Sequence, residues 1–324
     1  MKRRDAVLLA LLGKLAGPGV AAEAGFPDRP VHLFVGAGAG SFPDQVARRI
    51  ADELAHRFGQ PVIVHNRPGA GGIIAMSEFI KTPADGYTIA LATMSQLVFN
   101  RYLFRELPYD PERDLRPIGT ILNGSMMIVA NPAFPARSLA DLVSLSRSKP
   151  GEIDFAIPAL GSPPHVVLCM FMDTTRTSFS VIPFKTGADA VLQVVGGAVP
   201  LFIDAVPVVA GLVQSGKLRA LGVTGKSRLR QFPDVPTVAE QGYPAFVGEA
   251  WIGVVARAGT PGPVAARLRA ALDGALQSDS LRQYIEAAGG QALVTSPAEF
   301  SLLVQSDVAR WGKVIRDMHL SLDR

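Results

Sequence analysis

Apolar and polar positions alternate in short blocks along this chain, and the period of the blocks changes as they go. Val31-His32-Leu33-Phe34-Val35 is an apolar run of strand length. Val46, Ile50, Leu54 and Phe58 then recur every fourth residue, which predicts a helix over 44–58 with one buried face. Ser41 and Asp44 have the spacing of a helix cap, Pro43 falls in the first turn, and Gly59 follows the last. Residues 62–64 read as a strand, 73–80 as a helix that stops at Thr82-Pro83-Ala84-Asp85-Gly86, and 87–93 as a strand. That last strand runs into polar Thr93-Met94-Ser95-Gln96. Strand and helix in this alternation build a parallel sheet flanked by helices.

A second unit repeats the alternation. Residues 126–130 read as a strand. Ser138-Leu139-Ala140-Asp141 caps a helix that ends before Pro150-Gly151. Strands are expected over 153–157, 200–204 and 218–224, and helices over 188–195 and 207–215. Residues 250–256 are apolar again. The C-terminal part is helical, over 261–277, 281–288 and a long helix capped by Ser296-Pro297-Ala298-Glu299. No internal repeat or low-complexity segment stands out.

Three glycine-rich loops follow apolar strand-like runs. They are 36–44, 66–72 and 156–165. Glycine lets a backbone approach a ligand closely, and a helix start offers unpaired N–H groups at a positive dipole end. Such loops hold anions, phosphate or carboxylate, and in open α/β sheets they lie where ligands bind. The positive side chains in these loops are few. The anion is therefore expected to rest mainly on backbone N–H groups, Gly40 and Ser41 at the first helix start among them.

The N-terminus reads as a secretory leader. Lys2-Arg3-Arg4 is a basic start, residues 6–12 are a short apolar core, and Ala22-Glu23-Ala24 fits a cleavage site after Ala24. The apolar core is too short to span a bilayer. The Arg pair resembles a twin-arginine signal, but the rest of that pattern is weak, so the general secretory route is expected. A ragged cytoplasmic start or an uncleaved anchor is the alternative. The leader carries four basic and two acidic residues, so its removal takes the net charge from +4 to +2. That charge, with no long basic stripe, argues against nucleic acid.

The rest is the composition of a packed globular protein, 48% apolar and 19% charged. About 300 mature residues point to two domains. The single Cys169 sits in an apolar helix-like run and reads as a buried structural thiol. Gly36-x-Gly38-x-Gly40 departs from the dinucleotide fingerprint by one residue, and no Gly-Lys-Ser/Thr follows it. His165 lies near Ser162, but no nucleophile elbow exists. The five His show no metal-ligand spacing. No catalytic residue, metal or cofactor is therefore expected. Asp204 is read as orienting a ligand's hydroxyl or amine, or capping the helix after it.

Blocks of sequence from the mature start almost to the C-terminus resemble one family. They include Phe26-Pro27-Asp28-Arg29-Pro30-Val31, Gly59-Gln60-Pro61-Val62-Ile63-Val64-His65-Asn66-Arg67-Pro68-Gly69-Ala70-Gly71-Gly72, and Asp85-Gly86-Tyr87-Thr88. Leu107-Pro108-Tyr109-Asp110-Pro111, Gly216-Lys217-Leu218-Arg219-Ala220-Leu221, Pro233-Asp234-Val235-Pro236-Thr237 and Ala309-Arg310-Trp311-Gly312-Lys313 continue it in order. The resemblance is to the periplasmic receptors of tripartite tricarboxylate transporters, the Bordetella uptake family.

The resemblance implies an α/β chain with the type II periplasmic-binding-protein fold, two α/β domains around a ligand cleft. It places domain 1 at 25–123 and 247–324 and domain 2 at 124–246, with crossovers near Asn123–Gly124 and Phe246–Val247. It implies a monomeric periplasmic receptor that gives a small organic carboxylate to a permease of one large and one small subunit. An orphan ligand sensor of the same fold, or an exported α/β enzyme acting on a carboxylate, is the alternative. The family's first loop carries onto Gly40, Ser41, Phe42 and Asp44, and its strand-end loop onto Thr93 and Ser95. Its second-domain positions carry onto Gly161, Ser162, His165, Phe184, Lys185 and Asp204.

Several positions depart from the family pattern. Pro43, Pro163 and Pro164 have no N–H to donate, Phe42 is bulky, Leu160 replaces an amide, and Phe184 replaces a tyrosine. If these residues face the ligand, the pocket suits an aromatic or branched monocarboxylate better than citrate. If they face away, they say nothing about it.

Overall fold

The computed structural model describes residues 25–323. The proposed leader and its cleavage site lie outside them. Ten strands form one continuous curled sheet with helices packed on it. In the first half, β1 (Val31–Val35) pairs in parallel with β2 (Val62–Asn66) on one side and β3 (Thr88–Thr93) on the other. The helix between β1 and β2 is α1 (Phe42–Phe58), that between β2 and β3 is α2 (Ile73–Phe79), and the short α3 (Asn100–Leu103) follows β3. This is the alternation expected from the hydrophobic pattern.

Local chemistry explains α1. The Ser41 hydroxyl accepts the N–H of Asp44 at 3.4 Å, and Gly59 ends the helix in the left-handed conformation at φ 65°. Val46, Ile50, Leu54 and Phe58 are buried. They share an apolar cluster with Leu268 and Leu272 of α8 (Gly262–Ala275). Burial of each such side chain contributes about 1.5–3 kcal/mol.

Two long strands join the halves. β4 (Leu115–Ala130) runs antiparallel to β9 (Glu249–Arg257) from Leu115 to Ser125, then to β7 (Leu201–Ala205) from Met126 to Ala130. It passes the expected Asn123–Gly124 crossover without a break and changes its partner just beyond it. β9 also pairs with β3, so the C-terminal part of the chain returns to the first half. Pattern reading found only residues 126–130 of β4. Pro117, Gly119 and Gly124 interrupt the earlier part, and the pairing with β9 shifts register between Pro117 and Gly119 and again between Thr120 and Leu122.

The second half holds α4 (Leu139–Ser148), β5 (Asp154–Ile157), α5 (Pro163–Thr175), β6 (Ser180–Pro183), α6 (Gly187–Val195), α7 (Val206–Gln214) and β8 (Arg219–Val223). β5 runs parallel to β6 and β7. Cys169 is buried in α5, and burial pushes its thiol up to about 12, which fits the inert structural thiol expected. The chain ends with α9 (Asp279–Ala287), β10 (Gly290–Ala292) and α10 (Pro297–Asp317). In α10 both bonds of the Ser296–Glu299 capping box are present. One apolar cluster runs through both halves and includes Phe99, Trp251 and Trp311 with Phe155, Phe171 and Phe246. No helix among the described residues is long and apolar enough to cross a membrane.

Candidate functional site

A cavity of about 850 Å³ lies between the two halves, where the loops after β1, β2, β3, β5 and β6 converge. All three glycine-rich loops reach it. Ser41, Phe42, Thr93, Ser95, Ser162, Phe184, Lys185 and Asp204, eight of the candidate ligand-binding residues, line it. Gly40, Asp44, Gly161 and His165 are not among the lining residues.

These four residues hold the loops in shape. Asp44 is buried. Its carboxylate accepts the Gly40 N–H at 2.8 Å, Arg48 Nε at 3.0 Å and Asn66 Nδ2 at 3.0 Å. Burial pushes the Asp44 carboxyl up, but the hydrogen bonds from Arg48, Gly40 and Asn66 outweigh it and leave it below its ordinary value. In α5, His165 accepts the Gly161 N–H on Nδ1 at 3.1 Å. Burial lowers its pKa to about 4, so this ring is a neutral acceptor at physiological pH. His165 thus organises its loop from inside.

The donor set differs from the one expected. The Gly40 N–H goes to Asp44, and the Ser41 N–H goes to the Gly38 carbonyl at 3.2 Å. Neither is free for an anion in this form. Of the N–H groups that a helix start leaves without an intrahelical partner, Pro43 has none and those of Asp44 and Gln45 go to Ser41, which leaves that of Phe42, the first residue of α1. At α5, Pro163 and Pro164 fill the first two positions, and the His165 N–H goes to the Ser162 hydroxyl at 3.4 Å. The start of α6 has no such block. Thr186 caps it and Gly187 is its first residue, and both line the cavity beside Lys185.

Thr93 and Ser95 line the cavity with their hydroxyl protons already used. Thr93 donates to Gln96 Oε1 at 2.7 Å, and Ser95 donates to the Gly161 carbonyl at 2.8 Å. Gln96 Nε2 donates to the Gly71 carbonyl at 3.0 Å, and Asn100 Nδ2 donates to the same oxygen at 3.1 Å. The Tyr109 hydroxyl donates to the Gln96 carbonyl at 2.8 Å. These residues tie the second glycine loop to the turn after β3. The sequence assigns no site role to Gln96, Asn100 or Tyr109, because a buried polar network looks like an ordinary loop until the chain is folded.

Asp204 ends β7 facing the cavity, buried, with Oδ1 accepting the Ala205 N–H at 2.7 Å. Burial pushes its carboxyl up to about 7, against the smaller opposing effect of that N–H. Its Oδ2 occupies the space a side chain on Gly187 would need, so residue 187 must lack one. Lys185 has no ion-pair partner among the described residues. Ser125 and Asp189 add polar groups, and most of the remaining wall is apolar. Phe42, Pro43, Leu160, Pro163, Pro164 and Phe184 all line it, so the departures from the family pattern face the cavity. Trp251, Phe104 and Leu322 line it too and were not foreseen. Among the described residues, no three His, Cys, Asp or Glu side chains group as a metal site would need.

The model of the tripartite tricarboxylate transporter family receptor matches residues 46–320. The chain belongs to this family. Protein BugT of Bordetella pertussis is 35% identical over 315 residues, covering 96% of this chain and 97% of that one. The structure of R. palustris Rpa4515 with adipate superposes with a TM-score of 0.87 at 33% identity, covering 91% of this chain and 98% of the other. MatC from Rhodopseudomonas palustris with bound malate gives 0.84 at 28% identity, covering 90% and 100%. The family resemblance and the α/β periplasmic-binding-protein fold expected from the sequence are both borne out. The family's receptors are solute-binding proteins.

Proposed function

We propose that this chain is an exported periplasmic receptor that captures a small organic carboxylate in the cavity between its halves. It then delivers the solute to the large and small permease subunits of a tripartite transporter, and acts as a monomer without turnover. The observation that carries this reading is a cavity at strand ends that combines two helix starts, at Phe42 and Gly187, with the unpaired cation Lys185. Adipate and malate in the relatives' structures support the ligand class. The division into 25–123 with 247–324 and 124–246 rests on the change of partner along β4 and the return of β9.

The apolar wall narrows the ligand. Phe42, Leu160 and Phe184 supply surface that a highly hydroxylated or tricarboxylic acid cannot use. An aromatic or branched monocarboxylate fits better than citrate. Native mass spectrometry of the purified protein tests the reading, with a retained small acid released on denaturation as the expected result. Protein-dependent conversion of that acid, or failure to bind any carboxylate by calorimetry, overturns it.

A further inference from the structure

The described residues after α10 reach the site. After α10 the backbone turns at His319, with φ 51°, and runs back toward the cavity. The Leu322 N–H donates to the Leu103 carbonyl at 2.8 Å, and the Asp323 carboxylate accepts the Arg105 N–H. These two bonds dock the tail along residues 103–105, where Phe104 also lines the cavity. The Leu322 side chain is half-buried against the cluster that contains Leu103 and lines the cavity. Its Cδ1 lies 3.0 Å from where a side chain on Gly161 would begin, and Gly71 Cα lies 3.8 Å from the same point. Leu322 therefore sits where the second and third glycine loops meet.

The side-chain donors at this junction already have acceptors, and the one side-chain group left over, Asn100 Oδ1 beside Gly71, is an acceptor that repels a carboxylate. Ser95 donates to Gly161, and Gln96 and Asn100 donate to Gly71. A ligand group placed against Leu322 meets apolar surface from Leu322, Leu160 and Phe104 with no side-chain donor to spare. We propose that the C-terminal tail completes the ligand pocket and that Leu322 is a specificity-determining residue that rejects a charged or polar ligand group at this junction. This rests on the receptor reading above and adds a specificity element from the C-terminus. A second carboxylate there loses its water and gains no hydrogen bond. A methyl or ring in the same place loses nothing.

The test pairs acids that differ only at one end: hexanoate with adipate, and octanoate with suberate. Affinities are measured by calorimetry for the unchanged chain, for Leu322→Lys, and for a chain ending at Leu320. The unchanged chain is expected to favour the monocarboxylate of a pair by at least about tenfold. Leu322→Lys is expected to reverse or erase that preference, and the shortened chain to reduce it. A melting curve for each variant establishes that it is folded. If the unchanged chain binds these or other carboxylates and both variants keep its selectivity, the tail proposal fails and the receptor reading stands. If the unchanged chain binds no carboxylate, the receptor reading fails and the proposal goes with it.

Discussion

Ser95, just past the end of β3, donates its hydroxyl to the carbonyl of Gly161 at 2.8 Å, in the loop that opens α5. The two residues belong to opposite halves of the sheet, so this one hydrogen bond spans the cleft. Both oxygens are buried, and a hinge that opens the cleft must break the bond and expose them to water.

Ser95→Ala should therefore ease opening and weaken ligand retention. A neutral hydrogen bond contributes about 0.5–1.5 kcal/mol net, so affinity for a bound carboxylate should fall by up to about tenfold. Small-angle scattering of the unliganded variant should give a larger radius than the unchanged chain, with both contracting at saturation. Equal radii and equal affinity would mean that the bond does not act on opening.

Asp44 gives a pH-dependent test of the first loop. Its folded pKa lies below its ordinary value of 3.8, so its contribution to stability is present above that value and fades as pH falls through the lower folded one. Asp44→Asn removes an acceptor from a cluster that holds Gly40, Arg48 and Asn66. It should cost about 1.5–3 kcal/mol at neutral pH, and less once the native carboxyl is protonated. Urea melts at neutral and strongly acidic pH measure the difference. A deficit that does not change with pH would show that the charge of Asp44 is not what the loop uses.

Much of this first loop was legible in the sequence. The Ser41–Asp44 spacing, Pro43 and the four-residue period of Val46, Ile50, Leu54 and Phe58 act within one helix, and they place α1 to within two residues. The Ser296–Glu299 box likewise placed the start of α10. What stayed hidden depends on distant partners. The stretch 115–125 is a strand because β9 and β10 pair with it, despite the residues that interrupt its pattern. Asp44 and His165 carry the pattern of site residues, yet their polar atoms turn inward to Gly40 and Gly161. Leu322 shows no signal of its own, because only the turn at His319 brings it to the cavity.

Asp204 predicts the opposite pH dependence. Its carboxyl is pushed up to about 7 by burial from an ordinary 3.8, so the folded chain holds its proton more tightly than the unfolded one. Stability should fall as pH rises from 3.8 to about 7 and then level off. Asp204→Asn keeps the shape of the neutral acid and should remove that slope, leaving the variant the more stable of the two in mild alkali. The neutral acid can donate to a ligand carboxylate, whereas the ionised form repels it, so affinity should also fall above the same pH in the unchanged chain alone. Melting temperatures and calorimetric titrations of both chains across this range decide it. Parallel curves would place the Asp204 titration elsewhere.

The way the anion is held can be isolated at Phe42. This residue contributes a ring to the cavity wall and an N–H that α1 leaves unpaired. Phe42→Ala removes only the ring. Phe42→Pro removes the ring and the N–H together, and makes the start of α1 read Ser-Pro-Pro. That start is already tolerated in this chain, where Ser162, Pro163 and Pro164 open α5. Proline also suits the first helical position, so the fold should survive both changes. If the N–H bonds the ligand carboxylate, Phe42→Pro should bind more weakly than Phe42→Ala by at least about 1.5 kcal/mol, the low end for a hydrogen bond to a charged group. Lys185→Ala, measured beside them, reports what an exposed charge at the cavity adds, and it should cost less than the N–H. Calorimetry of the three variants, with circular dichroism as the check on folding, gives the comparison. Equal binding by the Ala and Pro variants, with loss in Lys185→Ala, would assign the anion to the lysine and remove the start of α1 from the site.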